Sequence, residues 1–98
     1  MIVRHVDRIL ERLEREDVPK SGFSADLVKV YRRRMQLIRA ATDERDLYAL
    51  KSLHYEKLQG KRAHQRSMRL NVQFRLILEL QEDKAGKTVV VISIEDYH

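Results

Sequence analysis

The chain has no cysteine and no tryptophan, a single proline, three glycines, four tyrosines and two phenylalanines among its 98 residues. Without cysteine, neither a disulfide framework nor a thiolate metal site can form. No apolar run approaches the ~20 residues that a membrane-crossing helix needs. The opening Met1-Ile2-Val3-Arg4-His5 lacks the apolar block of a signal peptide, so the expected location is cytoplasmic, with no membrane partner. Scarce proline and glycine, with no repeat or low-complexity tract, leave nothing to mark a linker. A single domain over residues 1–98, with one modest core, is expected. His5, His54, His64 and His98 show no zinc-like spacing, and no glycine-rich phosphate loop or serine nucleophile elbow is present. The expectation is therefore no metal and no cofactor.

What the chain does have is positive charge in one place. The formal net charge is +5, yet residues 51–75 alone carry Lys51, Lys57, Lys61, Arg62, Arg66, Arg69 and Arg75 against one acid, Glu56. Such a concentrated field favours polyanions, because neutralised phosphates release counterions. The Arg32-Arg33-Arg34 triplet falls inside a helical pattern and reads mainly as a solvated face.

The hydrophobic period changes halfway along. Residues 4–16 place Val6, Ile9, Leu10 and Leu13 on one helical stripe. A second helix is expected from the N-cap Ser24, with Phe23 stapling onto Val28 and a stripe of Leu27, Val28, Tyr31, Met35 and Ile38. Thr42 looks like the cap of a short third helix reaching about Leu50. Ser52 to Leu58 is a weaker strand candidate. Beyond it Met68, Leu70, Val72, Phe74, Leu76, Leu78 and Leu80 alternate strictly, which predicts one long bent strand or two strands broken near Asn71. Residues 82–87 form a hairpin turn with Gly86 available for positive φ. Val89 to Ile94 then returns as a strand covered on both faces. Helices first and strands afterwards predict an α+β fold, with N-terminal helices packed on a twisted antiparallel sheet.

In that arrangement Arg69, Asn71, Gln73 and Arg75 share one polar face, with the two guanidiniums about 20 Å apart on a straight strand. The hairpin returns Glu95-Asp96-Tyr97-His98 to the same end of the sheet. A carboxylate, a phenol and an imidazole would thus converge on two arginines. Imidazole is the side chain best suited to proton transfer near neutral pH. Alternation sends Tyr97 and His98 to opposite faces unless one leaves the ladder.

Several blocks resemble the HigB-type toxins of the RelE/ParE superfamily of toxin–antitoxin modules. They are Ala40-Ala41-Thr42 followed by Asp46-Leu47, Leu58-x-Gly60-x-Arg62, the run from Gln65 to Leu76, and Ile94-Glu95-Asp96-Tyr97-His98. The resemblance implies a RelE/ParE-like fold and an mRNA endonuclease acting in the A site of the 70S ribosome. It also implies neutralisation by a helix-turn-helix, HigA-like antitoxin, through which operator DNA is contacted indirectly. The chain departs from the family pattern at Gln59, Lys61, Arg66 and Val72, and Glu56 stands where some members carry a catalytic histidine, His54 lying two residues earlier.

A metal-free ribonuclease uses the substrate's own 2′-OH and needs a base, an acid and cations around the phosphorane. The expected catalytic set is His98 for proton transfer, Asp96 as its partner, Arg75 on the phosphate, Tyr97 stacking on a base or positioning the 2′-OH, and His54 as a further candidate. Lys57, Lys61, Arg62, Arg66 and Arg69 are the expected RNA- or ribosome-binding residues. Two alternatives stay open: a ParE-like gyrase poison, and an inactive homologue serving as an antitoxin-binding co-repressor.

Overall fold

The computed structural model describes residues 1–97. Five strands form one sheet in the order β1 (Ile2–His5), β5 (Gly86–Asp96), β4 (Phe74–Asp83), β3 (Gln65–Arg69) and β2 (Glu56–Lys57). Three helices accompany it: α1 (Arg8–Leu13), α2 (Ala25–Ala40) and α3 (Glu44–Ala49). The α+β class expected from the sequence is the one observed.

The long helix begins where its sequence says it should. The Ser24 hydroxyl accepts a hydrogen bond from the Leu27 amide, and Leu27, Val28, Tyr31, Met35 and Ile38 are buried. With Leu10, Leu13 and Leu47 from the other helices, they pack on Met68, Leu70, Leu76, Leu78, Val89 and Val91. All helical core residues thus lie on one face of the sheet. Strand alternation sends Ser67, Arg69, Arg75, Ile77, Ser93 and Glu95 to the other face.

Four expectations need correction. Arg4 and His5, the first residues of the expected 4–16 helix, belong instead to the edge strand β1, parallel to β5 with Val3 opposite Val89. The helix starts only after Asp7, whose carboxylate accepts from the Ile9 and Leu10 amides, and Val6 and Ile9 stay exposed. α3 is capped by Asp43, not Thr42, because the Asp43 carboxylate accepts from the Arg45 amide while Thr42 donates its amide to Asp46. The 52–58 segment pairs only at Glu56 and Lys57, after a 3₁₀ turn at Lys51–Leu53.

The alternating run breaks into two strands. Asn71 Oδ1 accepts from the Gln73 and Phe74 amides at 2.8 and 2.7 Å, closing a tight turn between β3 and β4. Val72 sits on its tip, 85 % exposed, so the apolar alternation there does not indicate burial. At the far end β4 turns through Lys84-Ala85 into β5, with Gly86 at φ +123°. A bulge where Ile77 faces Ser93 and Leu78 faces Val91 leaves Ile92 unpaired in the ladder.

Candidate functional site

Arg75 is the centre of the charged face. β4 places it directly opposite Arg69 of β3 on one side and Glu95 of β5 on the other. The run takes the second of its two expected forms, two strands broken at Asn71, so the straight-strand spacing does not apply and the turn makes the two arginines cross-strand neighbours, with Cα atoms about 5 Å apart. The Arg75 side chain is only 11 % exposed. Its Nε donates to the buried Ser67 hydroxyl at 2.6 Å, and Nη2 donates to the His54 carbonyl at 2.6 Å. Glu56 approaches Nη2 at 3.5 Å. The guanidinium carbon lies 5.1 Å from the centre of the Tyr97 ring, a cation–π contact that also aligns the two groups.

β5 continues past its last paired residue, since the Tyr97 amide donates to the Gln73 carbonyl at 2.7 Å. This brings Tyr97, half-exposed, against Arg75. Asp96 lies opposite Phe74, on the helix-side face, and its carboxylate accepts from the side-chain Nε2 of Gln73 at 3.0 Å. Asp96 and Tyr97 therefore leave the strand on opposite faces. His98, the expected proton-transfer residue, lies outside the described residues.

The basic residues divide into three groups. Arg62, from a 3₁₀ turn at Gly60–Arg62, makes a bidentate pair with Glu95 at 3.0 and 2.7 Å. That guanidinium holds the Glu95 carboxyl below the usual carboxylate range. Lys61 is exposed beside the same loop, Lys57 is exposed but lies opposite Arg66 and shares its sheet face, and Arg69 is half-buried with Nε donating to the Asn71 carbonyl. Arg66 is not brought into this array. It shares strand parity with Met68, faces the helices, and its Nε donates to Glu44 of α3 at 2.6 Å, an oxygen that Tyr55 also reaches. His54 is exposed and left-handed at φ 45°, ψ 45°; it touches Arg75 through its carbonyl.

Ser67, Glu56 and Glu95 belong to the site, although the sequence reading gave them no role. Ser67 is the one buried polar residue among those described. Its parity with Arg69 was the available signal, because both must then face the arginine-bearing side of the sheet. Among the described residues no group of three or more His, Cys, Asp or Glu side chains is arranged to hold a metal ion. The arrangement as a whole offers an anion a fixed guanidinium, a second guanidinium beside it, an aromatic ring beneath it, and exposed cations at Lys61 and Arg62 on the neighbouring loop.

Comparison with known proteins is consistent with this geometry. A family model described as the RelE-like toxin of the type II toxin–antitoxin system HigB matches residues 4–98. Among solved structures, a YoeB/ParE toxin from Agrobacterium tumefaciens superposes with a TM-score of 0.61 at 16 % identity, over 100 % of both chains. That likeness concerns the fold. No curated protein matches the chain.

Proposed function

The chain belongs to the HigB-like family of RelE-like type II toxins, and from that premise we propose that it cleaves mRNA in the ribosomal A site. As a type II toxin it has an antitoxin partner; a helix-turn-helix, HigA-like protein that contacts operator DNA is the partner we propose. The observation that carries the nuclease reading is Arg75 set over Tyr97, with Arg69 directly beside it, on the sheet face away from the helices.

RNA brings its own nucleophile. In this reading a base takes the 2′-OH proton as the oxygen attacks phosphorus, an acid protonates the departing 5′-oxygen, and the products carry a 2′,3′-cyclic phosphate and a 5′-hydroxyl. No metal is needed for that sequence. Arg75 holds the non-bridging oxygens as charge builds on them. Tyr97 suits stacking or hydrogen bonding, through its ring face and its hydroxyl. His98 is the proton-transfer group of the proposal; Asp96, which the strand turns to the helix-side face and bonds to the Gln73 side chain, has to leave that face to act as its partner. Lys57, Lys61, Arg62 and Arg69 steer the strand, with Arg62 first having to release Glu95.

The test is an incubation with programmed ribosomes. Cleavage at a codon in the A site, with a cyclic phosphate on the 5′ fragment and loss of cutting by a 2′-deoxy substitution at the scissile nucleotide, is the expected result. Arg75→Ala and Tyr97→Ala should each relieve the growth arrest caused by expression without antitoxin. Intact mRNA, or full toxicity in both variants, overturns the reading.

A further inference from the structure

We infer that Ser67 and the main chain of His54 are positioning residues that fix the orientation of the Arg75 guanidinium for a phosphate, and that the His54 imidazole is not the working part of that residue. The inference rests on the nuclease reading above.

An arginine side chain is flexible and presents five N–H donors. Here two of them are anchored, Nε by the Ser67 hydroxyl and Nη2 by the His54 carbonyl, both at 2.6 Å. Both anchors come from the β3/β2 side of β4: Ser67 is two residues before Arg69 on the neighbouring strand, and His54 precedes the two-residue strand β2 at the sheet edge. Tyr97 supports the guanidinium at its face. Among the described residues nothing accepts from Nη1, so that nitrogen keeps both donors for a ligand. A guanidinium fixed by two hydrogen bonds and a ring loses little further freedom when it meets a phosphorane, which is how preorganised donors act.

His54 reaches its place by an unusual route. Among the described residues it is one of two non-glycine residues at positive φ, a conformation that most residues bearing a Cβ adopt at a cost. The left-handed turn sends the carbonyl towards Arg75 while the side chain stays exposed. Backbone strain retained at such a point is a pointer to function. Ser67 gives the same signal from the interior: its hydroxyl is fully buried, and Arg75 is the partner that satisfies it.

The experiment uses the full chain in two parallel measurements. In the first, the Arg75 Nε–H resonance is followed by NMR in the free protein. It should be protected from solvent exchange in the wild type and exchange at least about tenfold faster in Ser67→Ala, as expected when a buried hydrogen bond is removed. In the second, cleavage on programmed ribosomes is compared for His54→Gly and His54→Val. Both lack the imidazole, but glycine accepts the left-handed conformation and valine resists it. The glycine variant should therefore cut about tenfold faster than the valine variant, and Ser67→Ala should lose about tenfold to a hundredfold in kcat. Thermal melts confirm that each variant is folded. Equal loss in the two His54 variants, or unchanged Nε–H exchange and cutting in Ser67→Ala, overturns the inference. If the wild type leaves mRNA intact, the nuclease reading fails by itself, and the role proposed here for the phosphate fails with it, whereas the Nε–H signal still decides whether Ser67 holds Arg75.

Discussion

Arg69 and Arg75 face each other directly across the β3–β4 ladder. Like charges in opposed positions of a sheet repel and cost stability. The protein keeps the pair, although a polar neutral residue at position 69 would remove the repulsion. Arg69→Gln should therefore stabilise the fold by about 0.2–1 kcal/mol, the usual scale of a cross-strand pair, while weakening RNA binding and cleavage. Chemical denaturation paired with a cleavage assay checks both halves. A variant that loses stability and keeps full activity would mean that the pair is not maintained for an anion.

Glu95 sets an acid inside the same array, and its bidentate bond with Arg62 competes with phosphate for that guanidinium. Glu95→Gln should release Arg62 and tighten binding to single-stranded RNA. One further cation available to phosphate steepens the slope of log affinity against log salt by about 0.7. Binding isotherms at several salt concentrations measure it. An unchanged slope would show that Arg62 does not reach the RNA even when unpaired.

These two relationships also mark where reading from sequence succeeds and stops. Local pattern is enough for the Ser24 cap, the α2 stripe, the period-two run and the hairpin at Gly86, because each is set by neighbours within a few residues. The edge strand β1 was hidden because its pairing with residues 88–91 is long-range, while Val6, Ile9, Leu10 and Leu13 imitate a helical stripe locally. Arg75 and Tyr97 were legible as members of one polar edge. The bond from Arg75 to Ser67 was not, since it depends on a β3–β4 register fixed only when the Asn71 turn closes. The place of Arg66 in the fold was legible too: its parity with Met68 puts it towards the helices, where it meets Glu44.

The arginine triplet shows the same limit from another side. Arg32 reads as surface, but its Nε donates to the Leu13 carbonyl at 2.7 Å and Nη2 to the Glu16 carbonyl at 2.9 Å. It thereby satisfies carbonyls at the end of α1 that the short helix cannot satisfy internally. Arg34 donates to the Arg69 carbonyl at 3.1 Å, while Arg33 is exposed. Arg32→Ala should cost about 1–3 kcal/mol, the range for charge-assisted bonds to groups left unpaired, and Arg33→Ala should change stability little. Urea denaturation of the two variants separates them; equal midpoints would contradict the capping role.

A last prediction concerns acid. His5 is nearly enclosed, its side chain 4 % exposed, with Nε2 3.4 Å from the Tyr31 hydroxyl and 3.9 Å from Glu14. Burial lowers its pKa below the ordinary histidine value, despite the opposing pull of Glu14 and Glu11 and with a smaller push from Arg39 and Arg15. In the unfolded chain His5 takes up a proton near its ordinary pKa, while in the fold it stays neutral to lower pH. The unfolded state therefore binds more protons in that window, and stability falls as pH drops below about 6.5 towards the folded value. Glu14 acts in the same direction further down. Its hydrogen bond from Arg39 lowers its pKa, so the stability it contributes is present above the ordinary glutamate range and lost as pH falls through the folded value. Melting temperatures between pH 7.5 and 5.5 should decline for the wild type and flatten in His5→Gln, whose amide can still meet the Tyr31 hydroxyl without titrating. Tyr31 itself is held by its bond to the Leu10 carbonyl at 2.6 Å and by burial that raises its pKa well above neutrality, so it adds no slope there. Parallel curves for the two proteins would remove His5 as the source of the acid sensitivity.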